Sequence, residues 1–146
     1  MGGAYSPGQA NIARKTVTFT GAAGAGAAGT PVSVFSVTGE VLIISLVAKC
    51  TVNLTEAAPT ATVALGVTGN TVLFIAATNS VDIDAEEFWV DTGPDPNGVA
   101  LPAALKDVVI TDNVIITPAT QNTTAGAIDF TILYVPVSAN GAVVAA

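Results

Sequence analysis

The sequence has no histidine, one cysteine, four cationic side chains and 5% aromatic residues, and only 10% of its 146 residues are charged. An average soluble domain carries roughly 25%. Without histidine the chain lacks the usual base for a serine or cysteine nucleophile and the commonest metal ligand. Catalysis is not expected, and no cofactor is implied. Cys50 has no second cysteine to pair with, so no disulfide framework exists, which favours a cytoplasmic origin over a small secreted scaffold. Arg14, Lys15, Lys49 and Lys106 stand against eleven acids, giving a net charge of −7. Four scattered cations cannot neutralise a run of phosphates, so no nucleic-acid partner is expected. No apolar run approaches the ~20 residues of a membrane helix. The opening MGGAYSPGQANIARK lacks the apolar stretch of a secretory signal. Met1, Gly2 and Ser6 match a formal myristoylation pattern, but no polybasic segment supplies the second signal that stable anchoring needs, so no membrane partner is expected.

What is present is apolar: 51% of residues are hydrophobic, in a chain about one domain long. That composition excludes intrinsic disorder. A surface this poor in charge must be covered by Thr, Ser, Asn, Gly and Ala, or by other protein, so self-association is expected. Thr16–Thr20 alternates strictly between polar and apolar residues, the period of a strand with one face on a core. Val32–Val37 is a second extended run. Val41–Val47 reads VLIISLV, apolar on both parities, which predicts a central strand covered on both faces. Ala61–Val67 and Thr71–Ala76, separated by Thr68-Gly69-Asn70, predict an antiparallel hairpin. Further strands are expected at Ser80–Ile83, Glu87–Val90, Lys106–Ile110, Asn113–Thr117 and Ala127–Val135, with one short helical turn within Ala100–Leu105. No helical periodicity persists. About nine short strands separated by turn residues predict an all-β fold, an antiparallel β-sandwich of jelly-roll type. Residues 1–13 lack strand periodicity and read as an extended N-terminal arm, and residues 14–146 as a single sandwich domain.

Few motifs suggest chemistry. Gly24, Gly26 and Gly29 spell G-x-G-x-x-G directly after a strand, but Thr30, Pro31 and extended Val32 follow where a dinucleotide site needs a helix to begin. The stretch therefore reads as a close-packed glycine loop, available to an interface. Asp82, Asp84, Glu86, Glu87, Asp91 and Asp95 cluster in sequence and read as a solvated acidic rim, with a calcium site as the alternative. A glycosidase pair among them is the weakest reading. In Phe88-Trp89-Val90, strand geometry sends Phe88 and Val90 one way and the only tryptophan the other. Core packing with an oligomer-interface contact by Phe88 and Trp89 is expected there, ahead of a sugar-stacking platform. Cys50 reads as a buried filler. Asn53 and Asn122 open glycosylation sequons that carry no weight without an export signal.

The Gly/Ala loop after TVTFT, the TGEVLIISLVAKCTVNLTEA block, VALGVTGNTVLFIAAT, IDAEEFWVD and the tail YVPVSANGAVVAA together resemble a family of short virion-associated proteins of tailed bacteriophages. The resemblance spans nearly the whole chain. It implies a capsid decoration or head auxiliary protein, made in the host bacterial cytoplasm and carried on the capsid exterior. Its partners would be itself, often as a trimer, and the major capsid protein. On that reading the arm around Tyr5, Ile12, Arg14 and Lys15 reaches onto the lattice, while parts of Val41–Val47 or Ala127–Val135 meet neighbouring copies. A phage tail, spike or adhesion module that binds a host glycan or receptor through Trp89 is the alternative.

Overall fold

The computed structural model describes residues 10–146, so Tyr5 lies outside the described residues. Eleven strands and two 3₁₀ turns follow in order: β1 (Asn11–Thr18), β2 (Val32–Thr38), β3 (Val41–Glu56), β4 (Thr62–Val67), β5 (Asn70–Asn79), a 3₁₀ turn (Ser80–Asp82), β6 (Glu87–Phe88), β7 (Asp95–Pro96), a second 3₁₀ turn (Ala103–Leu105), β8 (Lys106–Ile110), β9 (Val114–Ala119), β10 (Thr123–Pro136) and β11 (Ala142–Ala145). They form two antiparallel sheets. The first runs β1-β10-β3, after which β3 pairs with β8 near its start and with β6 near its middle, β7 following β6; the second runs β11-β2-β9-β4-β5. The expected all-β antiparallel sandwich is therefore the fold.

The pairings nest. β1 pairs with β10, β2 with β9, β3 with β8 and β4 with β5. The chain behaves as one long hairpin with its tip at Thr68-Gly69, rolled so that successive pairs alternate between the sheets. β6 and β7 are an insertion before β8.

Side chains facing inward from both sheets make one core, including Phe35, Ile43, Leu46, Leu65, Ile75, Trp89, Ile116, Phe130 and Ile132. Burying a side chain of this kind contributes about 1.5–3 kcal/mol. In β3 the buried residues are Val41 and Ile43, then Leu46, Ala48 and Cys50, and Leu54 near its end. The parity changes because Tyr134 pairs with Ile43 but Leu133 with Ser45, leaving Ile44 as an extra residue. A bulge thus accounts for hydrophobics on both parities, since one inserted residue exchanges the faces. The expectation of burial on both sides is corrected: Leu42, Ile44 and Val47 are half-exposed on the outer face.

Several other boundaries differ from the sequence reading, among them the strand expected at Glu87–Val90, which ends at Phe88. β1 starts at Asn11, with Asn11, Ile12 and Ala13 paired to Tyr134, Leu133 and Ile132, so strand pairing begins inside the segment expected to be an arm. Ser80–Ile83 is not a strand. The buried Ser80 hydroxyl meets Thr123 Oγ1 at 2.7 Å and its amide donates to Ala61 O at 2.9 Å, which pins a 3₁₀ turn there. β3 continues through Lys49 and Thr55 because β10 supplies a partner along its whole length.

The glycine loop is closed on itself and on β10. Thr20 and Gly21 amides donate to Ala25 O, the Ala28 amide to Asn122 Oδ1 at 2.9 Å, and the Thr123 amide to Gly26 O at 2.9 Å. β2 follows it, and no helix begins there. Among the three glycines of the motif, close packing is confined to Gly26, where an added Cβ would stand 2.1 Å from the Thr123 carbonyl oxygen.

Candidate interaction surface

The outward face of the first sheet can be read from its register, because residues opposite one another on adjacent strands share a face. From one end to the other its cross-strand rows are Thr18–Ala127–Val52, Thr16–Asp129–Lys49–Phe88, Arg14–Thr131–Val47, Ile12–Leu133–Ser45–Lys106 and Val135–Leu42–Val109. The middle is polar: Thr16 donates to Asp129 at 2.6 Å, and the Lys49 ammonium lies 5.8 Å from the Phe88 ring centroid and 3.2 Å from Glu86. Such an exposed ion pair is worth about 0–1 kcal/mol.

The end formed by the last two rows is apolar but for Ser45 and the exposed Lys106 at its β8 margin. Ile12 is 52% and Val109 58% exposed, with Leu133, Val135 and Leu42 half-buried between them. Beside Val47 a groove of about 210 Å³ is lined by Phe88, Val90, Gly98, Val99 and Leu101. Isolated exposed apolar residues are ordinary on a protein surface, whereas a contiguous set on a rigid sheet marks a contact face.

The structure separates the residues singled out from the sequence. Ile12 and Arg14 lie on this outer face. Lys15 faces the other way and donates from its ammonium to the backbone oxygen of Ala146, so the two cations do not act as a pair. Phe88 lies over Lys49 on the outer face. Trp89 is fully buried, its amide donating to Ala48 O at 2.9 Å and its indole Nε1 to Thr78 Oγ1 at 3.0 Å. It has no surface to offer a neighbouring subunit or a sugar, which corrects the expected interface role and leaves Phe88 alone of that pair. Leu42, Leu133 and Val135 fall in the segments Val41–Val47 and Ala127–Val135 expected to meet neighbouring copies, whereas Val109 and the 97–102 loop were not singled out beforehand, and only the register brings them together.

The acids do not converge. Asp82 sits in a 3₁₀ turn, Glu87 Oε2 accepts from the Asp84 amide at 3.1 Å, Glu86 faces Lys49, and Asp91 accepts from the Gly93 amide at 2.8 Å. Among the described residues no group of three or more Cys, Asp or Glu side chains is placed to hold a metal ion. No helix among them is long and apolar enough to cross a membrane.

Cys50 is buried, and burial pushes its thiol up to about 11, with the negative charges of Asp84, Glu87 and Glu86 adding to that rise against a lowering contribution from the Val52 backbone. A raised thiol is a poor nucleophile, because the thiolate is the reactive form. Native protein at pH 8 is expected to resist iodoacetamide, and urea-unfolded protein to be alkylated readily, as intact mass would record. The neutral thiol also makes a contribution to stability that is complete below the unfolded value near 9 and is lost as pH rises toward 11.

No protein-family model matches the chain, and no curated protein matches it. Among solved structures it is similar to a chain of the "Cyanophage Pam1 capsid asymmetric unit", at 16% identity and a TM-score of 0.47, over 86% of this chain and 84% of that one. A likeness of that size carries no argument about function.

Proposed function

We propose that this chain is a structural virion protein of a tailed bacteriophage, a capsid decoration protein that binds the exterior of the shell and performs no catalysis. The observation that carries the reading is the apolar end of the first sheet's outer face, Ile12–Leu133 and Val135–Leu42–Val109, held on a rigid ladder with Arg14 and Lys106 beside it. A hydrophobic centre with a sparse polar rim is the anatomy of a protein contact, and a sheet presents it without the entropy cost of ordering loops. Two further considerations support it: the resemblance of the sequence to short phage virion-associated proteins, and a nested pairing of the kind found in jelly-roll domains, which viral capsids use alongside lectins and cupins. Fold alone would not select among those uses. Burial of Trp89 takes that residue out of reach of a glycan or receptor.

In this reading the outer face of the first sheet meets the major capsid protein. The test is attachment to particles of the encoding phage stripped of this protein, measured by co-sedimentation. The double variant Ile12→Asp, Val109→Asp should bind at least about a hundredfold more weakly, since burying an unpaired carboxylate costs several kcal/mol. Undiminished attachment by the variant, or failure of the parent protein to sediment with particles, would overturn the assignment.

A further inference from the structure

Charge is partitioned between the two sheets. All four cations lie on strands of the first sheet: Arg14 and Lys15 on β1, Lys49 on β3 and Lys106 on β8. The acids lie on that sheet or in connections. The five strands of the second sheet, VSVFSVT, TVALGV, NTVLFIAATN, VIITPA and AVVA, contain no charged residue at all. Folded sheets guard their open edges with lysine, proline, short strands or bulges, because unpaired backbone amides and carbonyls accept any extended chain that approaches.

The edges differ in how well they are guarded. β1 carries Arg14 and Lys15, β8 carries Lys106 and Asp107, and β11 is four residues long with the Lys15 ammonium at its end. β5 ends the second sheet, is ten residues long, and has neither proline nor charge. Its register against β4 shifts twice, which bends it without covering it. The turn Ala103–Leu105 packs beside β5 and sends Leu105 into the core, but makes no backbone hydrogen bond to it. Val72 is 54% exposed, and Thr71, Ala76 and Ala77 are exposed with it.

We propose that β5 is the self-association edge, adding strand to strand onto a second copy of this chain. An extended strand is the ligand that unpaired backbone groups recognise, and main-chain hydrogen bonds then supply the affinity. The occupant is a second copy because of charge. Molecules of net charge −7 repel wherever their acids approach one another, and the strands of the second sheet are where two copies meet with no charge facing charge, Asp112 at the Gly69 tip and Asp82 after Asn79 lying beyond the two ends of β5. The contact uses a different sheet from the one assigned to the shell, so either can fail without the other.

The experiment is multi-angle light scattering of the full chain across a dilution series, for the parent and for Val72→Lys, Ala77→Lys, two exposed positions where lysine leaves the core intact. The parent should show a multiple of 14.4 kDa, and the variant the mass of one chain with an unchanged circular dichroism spectrum. Ile12→Asp, Val109→Asp should keep the parent's mass. As a second readout, hydrogen exchange of β5 amides in the parent should slow as concentration rises. A parent that stays one chain at every concentration, a lysine variant that keeps the parent's mass, or β5 exchange independent of concentration would overturn the assignment.

Discussion

Trp89→Ala is expected to lower unfolding stability by about 3–5 kcal/mol, a large part of the roughly 5–15 kcal/mol that holds a domain together. Trp89 is the largest fully buried side chain, and it ties the two layers: its amide is bonded to Ala48 on β3 of the first sheet, and its indole to Thr78 on β5 of the second. Truncation leaves a cavity between the sheets and removes one buried hydrogen bond, worth about 1 kcal/mol. Trp89→Phe separates the two contributions, filling most of the space while deleting the indole donor. It should cost about 1–2 kcal/mol, because Thr78 Oγ1 keeps its own bond to Ala76 O at 3.0 Å. Urea unfolding followed by far-ultraviolet circular dichroism measures both. Equal, small losses for the two variants would mean that the indole does not join the layers as described.

Trp89 also marks the limit of what periodicity conveys. Alternation in Phe88-Trp89-Val90 separates Phe88 from the tryptophan, as found, but does not say which side is the core, and the strand ends at Phe88, after which Val90 is buried as well. β1, β2, β8 and the β4–β5 hairpin were legible because each has a single apolar parity or a turn signal at its tip. β3 was legible as a central strand, yet its two-parity hydrophobicity had two physical sources, burial on both faces or a bulge, and only its pairing with β10 separates them. Ser80–Ile83 has strand-like composition, and a tertiary hydrogen bond between two hydroxyls overrides it. β11 escaped because AVVA is too short to show a period. The candidate contact face was half legible: Ile12 and Phe88 stood out, whereas Leu42, Leu133, Val135 and Val109 become a patch only through the register of three strands, each contributing one or two residues. The charge-free second sheet was hidden in the same way, since the strands composing it are scattered from residue 32 to residue 145.

The glycine motif offers a prediction in which three similar residues separate by environment. Gly24, Gly26 and Gly29 all have positive φ, at 76°, 119° and 82°. A side chain at Gly24 or Gly29 meets nothing within 4 Å, so alanine there should cost only the left-handed backbone penalty, about 1–2 kcal/mol. At Gly26 an added Cβ would stand 2.1 Å from the Thr123 carbonyl oxygen and 3.3 Å from the Phe19 ring, in a backbone conformation less accessible still to an L residue. The loop cannot simply retreat, because the Thr123 amide donates to Gly26 O and the Thr123 hydroxyl is engaged with Ser80 in the interior. Gly26→Ala is therefore expected to cost about 3 kcal/mol or more, from backbone strain and overpacking together. Denaturant titration monitored by the single tryptophan compares the three variants directly. A phosphate-cradling loop would show the opposite signature, with all three alanine variants similarly stable and differing only in ligand affinity. Ordering by packing, with Gly26 far from the other two, identifies the stretch as the clasp between the end of β1 and the start of β10, the outermost pair of the rolled hairpin.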